Sequence, residues 1–168
     1  MLASALSLVL IGQSSKPFTG PTITVTFSNK KSFVIQTETS SSPKTVARIS
    51  ELVKQKYYDG ILFHRVEDWV VQWGDPNTKK GLDAPGVGSG GTGKNMPFEA
   101  SPVEFKRGIV GIASTGTKKG GDSQLFVLTK DAPHLTGNYA VLGRVSKGME
   151  VVDAIKRGDK VVSMKLGK

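Results

Sequence analysis

Apolar and polar side chains alternate over residues 22–27 (TITVTF) and again over 32–38 (SFVIQTE), with a polar SNKK between them. Period-two patterning joined by a short polar connection predicts a β-hairpin. From residue 45 to 56 the period changes. Val46, Ile49 and Val53 recur at helical spacing with Leu52 beside them, and Ser42 or Pro43 stands near the start as a cap or first-turn residue. That spacing predicts an amphipathic helix. Short β-prone runs return at 63–66 and 70–73. The stretch from Gly81 to Gly93 has no periodic apolar pattern and reads as a long surface loop. Residues 108–113, 124–128, 140–145 and 160–166 read as further strands, and 149–155 as a second short helix.

About eight strands and two helices predict a mainly β fold. Antiparallel strands with few edges left over point to a closed eight-stranded barrel, its interior filled by side chains and its ends capped by the two helices. The 168 residues are enough for one core. No repeat, linker or second domain interrupts residues 20–168, and residues 1–19 stand apart as an apolar N-terminal segment. Its MLASALSLVLIG run is too short to span a bilayer and has the length of a signal-peptide core, though without a basic leader. With Gly12 and Ser14 as small residues for cleavage, the segment favours export to the periplasm. The alternative is a cytoplasmic protein in which it forms an ordinary first strand or reflects a mis-set start codon.

Composition narrows the function classes. Twenty glycines and eight prolines suit short strands and many turns. The net charge of +9 would signal a nucleic-acid binder if it were gathered on one face, but the cations come as scattered dyads such as Lys30-Lys31, Lys79-Lys80 and Lys118-Lys119. They read as a solvated surface, and no nucleic-acid partner is expected. The absence of cysteine excludes disulfides, thiol catalysis and thiolate metal sites. With only His64 and His134, and no HExxH-type spacing, neither a metal nor a cofactor is implied.

Two motifs invite chemistry that their context does not support. Residues 86–94 read GVGSGGTGK and nearly complete a phosphate loop, yet no strand precedes them. Asn95 stands where a magnesium-binding Ser or Thr belongs, and Pro97 disfavours the helix that should follow. These glycines read as a loop that needs positive φ angles. His64 beside Arg65 suggests a general base for a serine nucleophile, but no GxSxG elbow surrounds any serine. Arg65 is the odd residue. On a strand, Phe63 and Arg65 would share one face and His64 and Val66 the other. An arginine on the apolar side must reach a cleft or a structural salt bridge.

Seven landmarks follow one another in order: FHR at 63–65, QWGDP at 72–76, the glycine-rich loop, Pro97-Phe98-Glu99, RGIVGIA at 107–113, SQLFV at 123–127 and LTGNYAVLGRV at 135–145. In this order the chain resembles the cyclophilins, peptidyl-prolyl cis/trans isomerases, over roughly residues 20–167. The resemblance implies an eight-stranded antiparallel barrel with two helices and an outer groove that takes an Xaa-Pro peptide. Arg65 matches the family's catalytic arginine, His64 the histidine before it, and Gln72 the glutamine that hydrogen-bonds the peptide. Trp69 and Val70 fall where phenylalanine and methionine usually line the proline pocket. Ala113, Ser114 and Thr115 match the strand edge that pairs with the substrate backbone, and Gln124, Phe126 and Leu135 match pocket residues. Tyr139 stands where many members have histidine and some bacterial ones tyrosine. His134 replaces the tryptophan of cyclosporin-sensitive members, which implies weak cyclosporin binding at most.

The same resemblance implies proline-containing peptides and unfolded or partly folded proteins as partners, and a monomer. Its alternative is a non-catalytic peptide-binding or chaperone module on the same barrel. Two departures mark this chain. VEDW is one residue shorter than the family's VIPGF-like turn, so Trp69 is aligned from Gln72 while Glu67 and Asp68 share the span of three family positions. Trp73 replaces a glycine of QGGDP and reads either as a core filler or as a substrate contact.

Overall fold

A computed structural model describes residues 18–167; the apolar opening, with the signal-peptide and first-strand readings, lies outside them. The predicted hairpin is β1 (Thr22–Phe27) paired antiparallel with β2 (Ser32–Thr37). Every second residue of both strands is buried, so Ile23 faces Ile35 and Val25 faces Phe33 in the interior. The helix α1 (Pro43–Lys54) buries Thr45, Val46, Ile49, Leu52 and Val53. Pro43 occupies its first turn, where a missing N–H is harmless. Ser42 is the cap residue, but its hydroxyl makes no cap bond. The distant Glu99 carboxylate does that work, accepting the amides of Lys44 at 3.0 Å and Thr45 at 2.7 Å.

The remaining strands are β3 (Arg65–Val66), β4 (Val70–Trp73), β5 (Ile109–Ile112), β6 (Leu125–Leu128), β7 (Val141–Lys147) and β8 (Val161–Gly167), with a short helix α2 (Met149–Asp153) before the last. They form one sheet in the order β3-β4-β6-β5-β7-β2-β1-β8, every pair antiparallel. The helix α1 packs on β8 and β7, and α2 on β2. Two short 3-10 helices, Pro76–Lys80 and Pro133–Leu135, lie in the connections after β4 and β6. No helix among the described residues is long and apolar enough to cross a membrane.

The sheet is a curled half-barrel, in place of the closed barrel expected from strand count. Its end strands β3 and β8 share no ladder; one isolated bridge joins Leu62 to Lys160. The reason lies at His64. Phe63 donates to Asp159 at 2.9 Å and accepts from Gly158 at 2.8 Å, beside the β8 edge, whereas the amide of His64 donates to Gln72 at 3.2 Å, on β4. The chain changes partners there, leaving β3 two residues long. This also corrects the expectation that Phe63 and Arg65 share a face. Phe63 is fully buried in the inner core, while Arg65 starts the strand opposite Gln72 and points to the outer side.

The sheet carries apolar layers on both faces. Val71 and Trp73 point into the main core, and Trp73 packs 5.0 Å from Phe63 and edge-on to Phe33 at 6.1 Å, measured between ring centres. Trp73 is thus a core filler. On the outer face, Val70, Phe105, Ile109, Phe126, Leu128, Ala132 and Val141 form a second cluster, with Trp69, Leu135 and Tyr139 packed against it.

Candidate active site

The outer cluster is the floor of a cavity of about 200 Å³ lined by Arg65, Trp69, Val70, Gln72, Ala113, Ser114, Phe126, Leu135 and Tyr139. Four segments supply these residues. Strands β3 and β4 bring Arg65 opposite Gln72, and the β4–β6 ladder sets Gln72 opposite Phe126. The stretch after β5 supplies Ala113 and Ser114, and the 3-10 turn at 133–135 with the chain beyond it supplies Leu135 and Tyr139. Phe126 stacks on Phe105 at 6.0 Å and meets the Tyr139 ring edge-on at 6.0 Å, which fixes the floor.

One polar chain runs along the rim. The Nη1 of Arg65 donates to Gln72 Oε1 at 3.3 Å, and Gln72 Nε2 donates to Gln124 Oε1 at 2.8 Å. The Nε2 of Gln124 then donates to the carbonyls of Gly88 at 3.1 Å and Gly90 at 2.8 Å. The other edge of the guanidinium belongs to Glu67, with Nε to Oε1 at 2.8 Å and Nη2 to Oε2 at 3.2 Å. Trp69 Nε1 donates to the same Oε2 at 2.9 Å, and the guanidinium carbon lies 5.4 Å from the centre of the Trp69 ring. The hydrogen bond from Arg65 holds the Glu67 carboxyl below its ordinary pKa.

A second cavity of about 300 Å³ adjoins the first across Gln72, Ala113 and Ser114, and takes Thr115, Gln124 and Asp122 into its walls together with loop glycines such as Gly88 and Gly90. The glycine loop does not present a phosphate cradle. Asp75, fully buried, accepts the amides of Gly88 at 2.6 Å and Gly90 at 3.0 Å, and Asp122 accepts that of Gly93 at 2.8 Å. Carboxylates of the chain already take the N–H groups that an anionic ligand would need.

Eleven of the thirteen residues singled out in the sequence therefore line one cavity or the other. His64 and His134 line neither. His134 is exposed at the rim, its ring 6.3 Å from that of Trp69. Both ring nitrogens of His64 are shielded from solvent and have no hydrogen-bond partner. Burial pushes its pKa below the usual value, against the opposing pull of Asp75, so it is a neutral group behind the rim. Glu67 was missed. Its signal was simple: on a strand direction, residues 65 and 67 share a face.

A family model described as cyclophilin type peptidyl-prolyl cis-trans isomerase/CLD matches residues 22–166. The chain belongs to the cyclophilins. Among similar proteins, the probable peptidyl-prolyl cis-trans isomerase of Brucella abortus is 43% identical over 122 residues, covering 70% of this cyclophilin and 62% of that relative. The chain thus spans under two thirds of the length of the Brucella relatives it matches. The peptidyl-prolyl cis-trans isomerase of Helicobacter pylori is 34% identical over 141 residues, 81% of each chain. In fold, a cyclophilin crystal structure from Cryptosporidium parvum superposes with a TM-score of 0.75 at 22% identity, covering 88% of this chain and 98% of that one.

Proposed function

We propose that this cyclophilin is a peptidyl-prolyl cis-trans isomerase that rotates Xaa-Pro bonds in unfolded or partly folded proteins. One observation carries the reading: an arginine and a glutamine stand hydrogen-bonded on the rim of an apolar cavity floored by an aromatic ring. A related Cryptosporidium parvum isomerase crystallised in the presence of the dipeptide Ala-Pro, which supports a proline peptide as the occupant.

The reaction breaks no bond. Amide resonance sets a barrier of about 18–20 kcal/mol, and uncatalysed rotation takes roughly 10–100 s. Rotation localises the lone pair on a pyramidal prolyl nitrogen. A guanidinium N–H donated to that nitrogen favours the twisted state over the planar one, and this difference accelerates the turn. Arg65 takes this role. Phe126, Val70, Leu135 and Trp69 grip the pyrrolidine ring, so that one side of the amide stays fixed while the other rotates. Gln72 and the backbone at 113–115 hold the flanking peptide, with Gln124 and Thr115 in the wall of the adjoining cavity. With His134 at the rim in place of an indole, cyclosporin binds weakly at most.

A protease-coupled assay on a short Xaa-Pro peptide tests the reading. The wild type turns over, and Arg65→Ala loses about a hundredfold or more in kcat/KM, roughly 3 kcal/mol of transition-state stabilisation, with its fold intact. The rival, a module that binds proline peptides without turning them, draws on Glu67 occupying one edge of Arg65. Binding without turnover by the wild type would establish it.

A further inference from the structure

We infer that Glu67 is a positioning residue for the isomerase reaction, holding Arg65 by its Nε–Nη2 edge so that a remaining N–H is presented to the cavity. The inference rests on the isomerase reading above. Arginine carries about 2 kcal/mol of side-chain rotamer entropy, and the Arg65 side chain is 42% exposed at the rim. Left alone, such a guanidinium samples many orientations, whereas donation to one nitrogen of a rotating amide requires one.

Three contacts impose it. Glu67 takes Nε and Nη2, Gln72 takes one N–H of Nη1, and the guanidinium carbon lies 5.4 Å from the centre of the Trp69 ring. Of five N–H groups on a guanidinium, three are engaged. The carboxylate is itself held, because Trp69 Nε1 donates to the oxygen that faces Nη2. The turn that carries both is pinned: Glu67 N donates to Val70 O at 2.9 Å, Thr129 N to Trp69 O at 2.9 Å, and Asp68 pairs with Lys130 at 2.8 Å. Glu67 follows β3 directly, two residues beyond Arg65, and its carboxylate reaches the guanidinium at 2.8 Å. Since the pair is half exposed, solvent screens its charge, and the effect is one of orientation more than of field.

The test combines kinetics with a direct view of the guanidinium. Glu67→Gln lowers kcat about three- to tenfold with little change in KM or thermal stability, and Glu67→Asp recovers part of the loss. In proton–nitrogen NMR spectra the Arg65 Nε–H signal, protected from solvent exchange in the wild type, loses that protection in Glu67→Gln. Glu51→Gln, on the exposed face of α1 away from the cavity, keeps both wild-type kcat and the protected signal. A kcat for Glu67→Gln equal to or above the wild-type value overturns the inference, as does a fall in kcat with the signal still protected. A wild type without turnover removes the isomerase reading and this inference together; an active wild type with an unimpaired Glu67→Gln removes Glu67 alone.

Discussion

Gly111 and Phe126 face each other across the β5–β6 ladder, so closely that a Cβ on Gly111 would lie 2.4 Å from the Phe126 ring. No positive φ is involved; the demand is for space alone. The aromatic floor of the cavity rests directly on this backbone. Gly111→Ala pushes the ring towards the space a proline would occupy, and overpacking of this kind typically destabilises by about 1–3 kcal/mol. The expected outcome is a raised KM for Xaa-Pro peptides with a smaller loss of kcat. Unchanged KM would show that the ring finds room elsewhere.

Gln124 joins the glycine loop to the rim. Its replacement by alanine strips partners from the carbonyls of Gly88 and Gly90 and from the amide of Gln72. These carbonyls line an open cavity that water can enter, so each lost bond costs about 0.5–1.5 kcal/mol. Gln124→Ala is therefore expected to lower the urea midpoint and kcat together, since Gln72 then orients Arg65 less firmly. Loss of stability with wild-type kcat would uncouple the loop from the arginine.

Trp73 separates stability from activity. It is fully buried on the inner face, against Phe63 and Phe33, and its indole N–H has no partner. Trp73→Ala should cost about 3–5 kcal/mol, visible in denaturant unfolding. Trp73→Phe should cost less, because it also removes the unpartnered N–H. The folded Phe variant is expected to keep the wild-type KM, since residue 73 faces away from the cavity.

His64 makes stability fall with acid in a defined window. Its folded pKa lies below the unfolded value of 6.5, chiefly through burial, with Asp75 opposing and Arg157 and Arg65 adding. Below 6.5 the unfolded chain therefore binds the proton first. Stability is full above 6.5 and declines as pH drops towards the folded pKa. The lowered carboxyls of Glu38, beside Ser40 and Ser41, and of Asp153, beside Arg107, act only below about 4.5. Thermal unfolding between pH 7 and 5 should show a slope that His64→Gln removes.

Periodicity made the hairpin, α1 and the strand count legible in the sequence, because it fixes which side chains share a face; the cavity residues were legible through the resemblance of the ordered landmarks to the cyclophilins. Arg65, Gln72 and Phe126 meet through the ladder registers Arg65–Gln72 and Gln72–Phe126, which alternation within each strand does not set. What stayed hidden depended on contacts between distant segments. Nothing local announces that Glu99 caps α1, or that Asp75 and Asp122 satisfy the glycine loop. The face of Arg65 was misread for the same reason: alternation was extended through His64, where the chain leaves one neighbour for another. Trp73 could be placed only once the inner aromatic cluster was seen.

That exchange of neighbours at His64 puts the arginine on the seam of the half-barrel. Its strand is two residues long and is held along one side only, so the sheet has its least redundant bonding where Arg65 sits. Arg65 borrows its rigidity from side chains instead of from a ladder. Slow amide hydrogen exchange in β1, β2 and β5 can therefore coexist with rapid exchange at 65–66, and the orientation of the guanidinium is adjustable by evolution in the turn without disturbing the core.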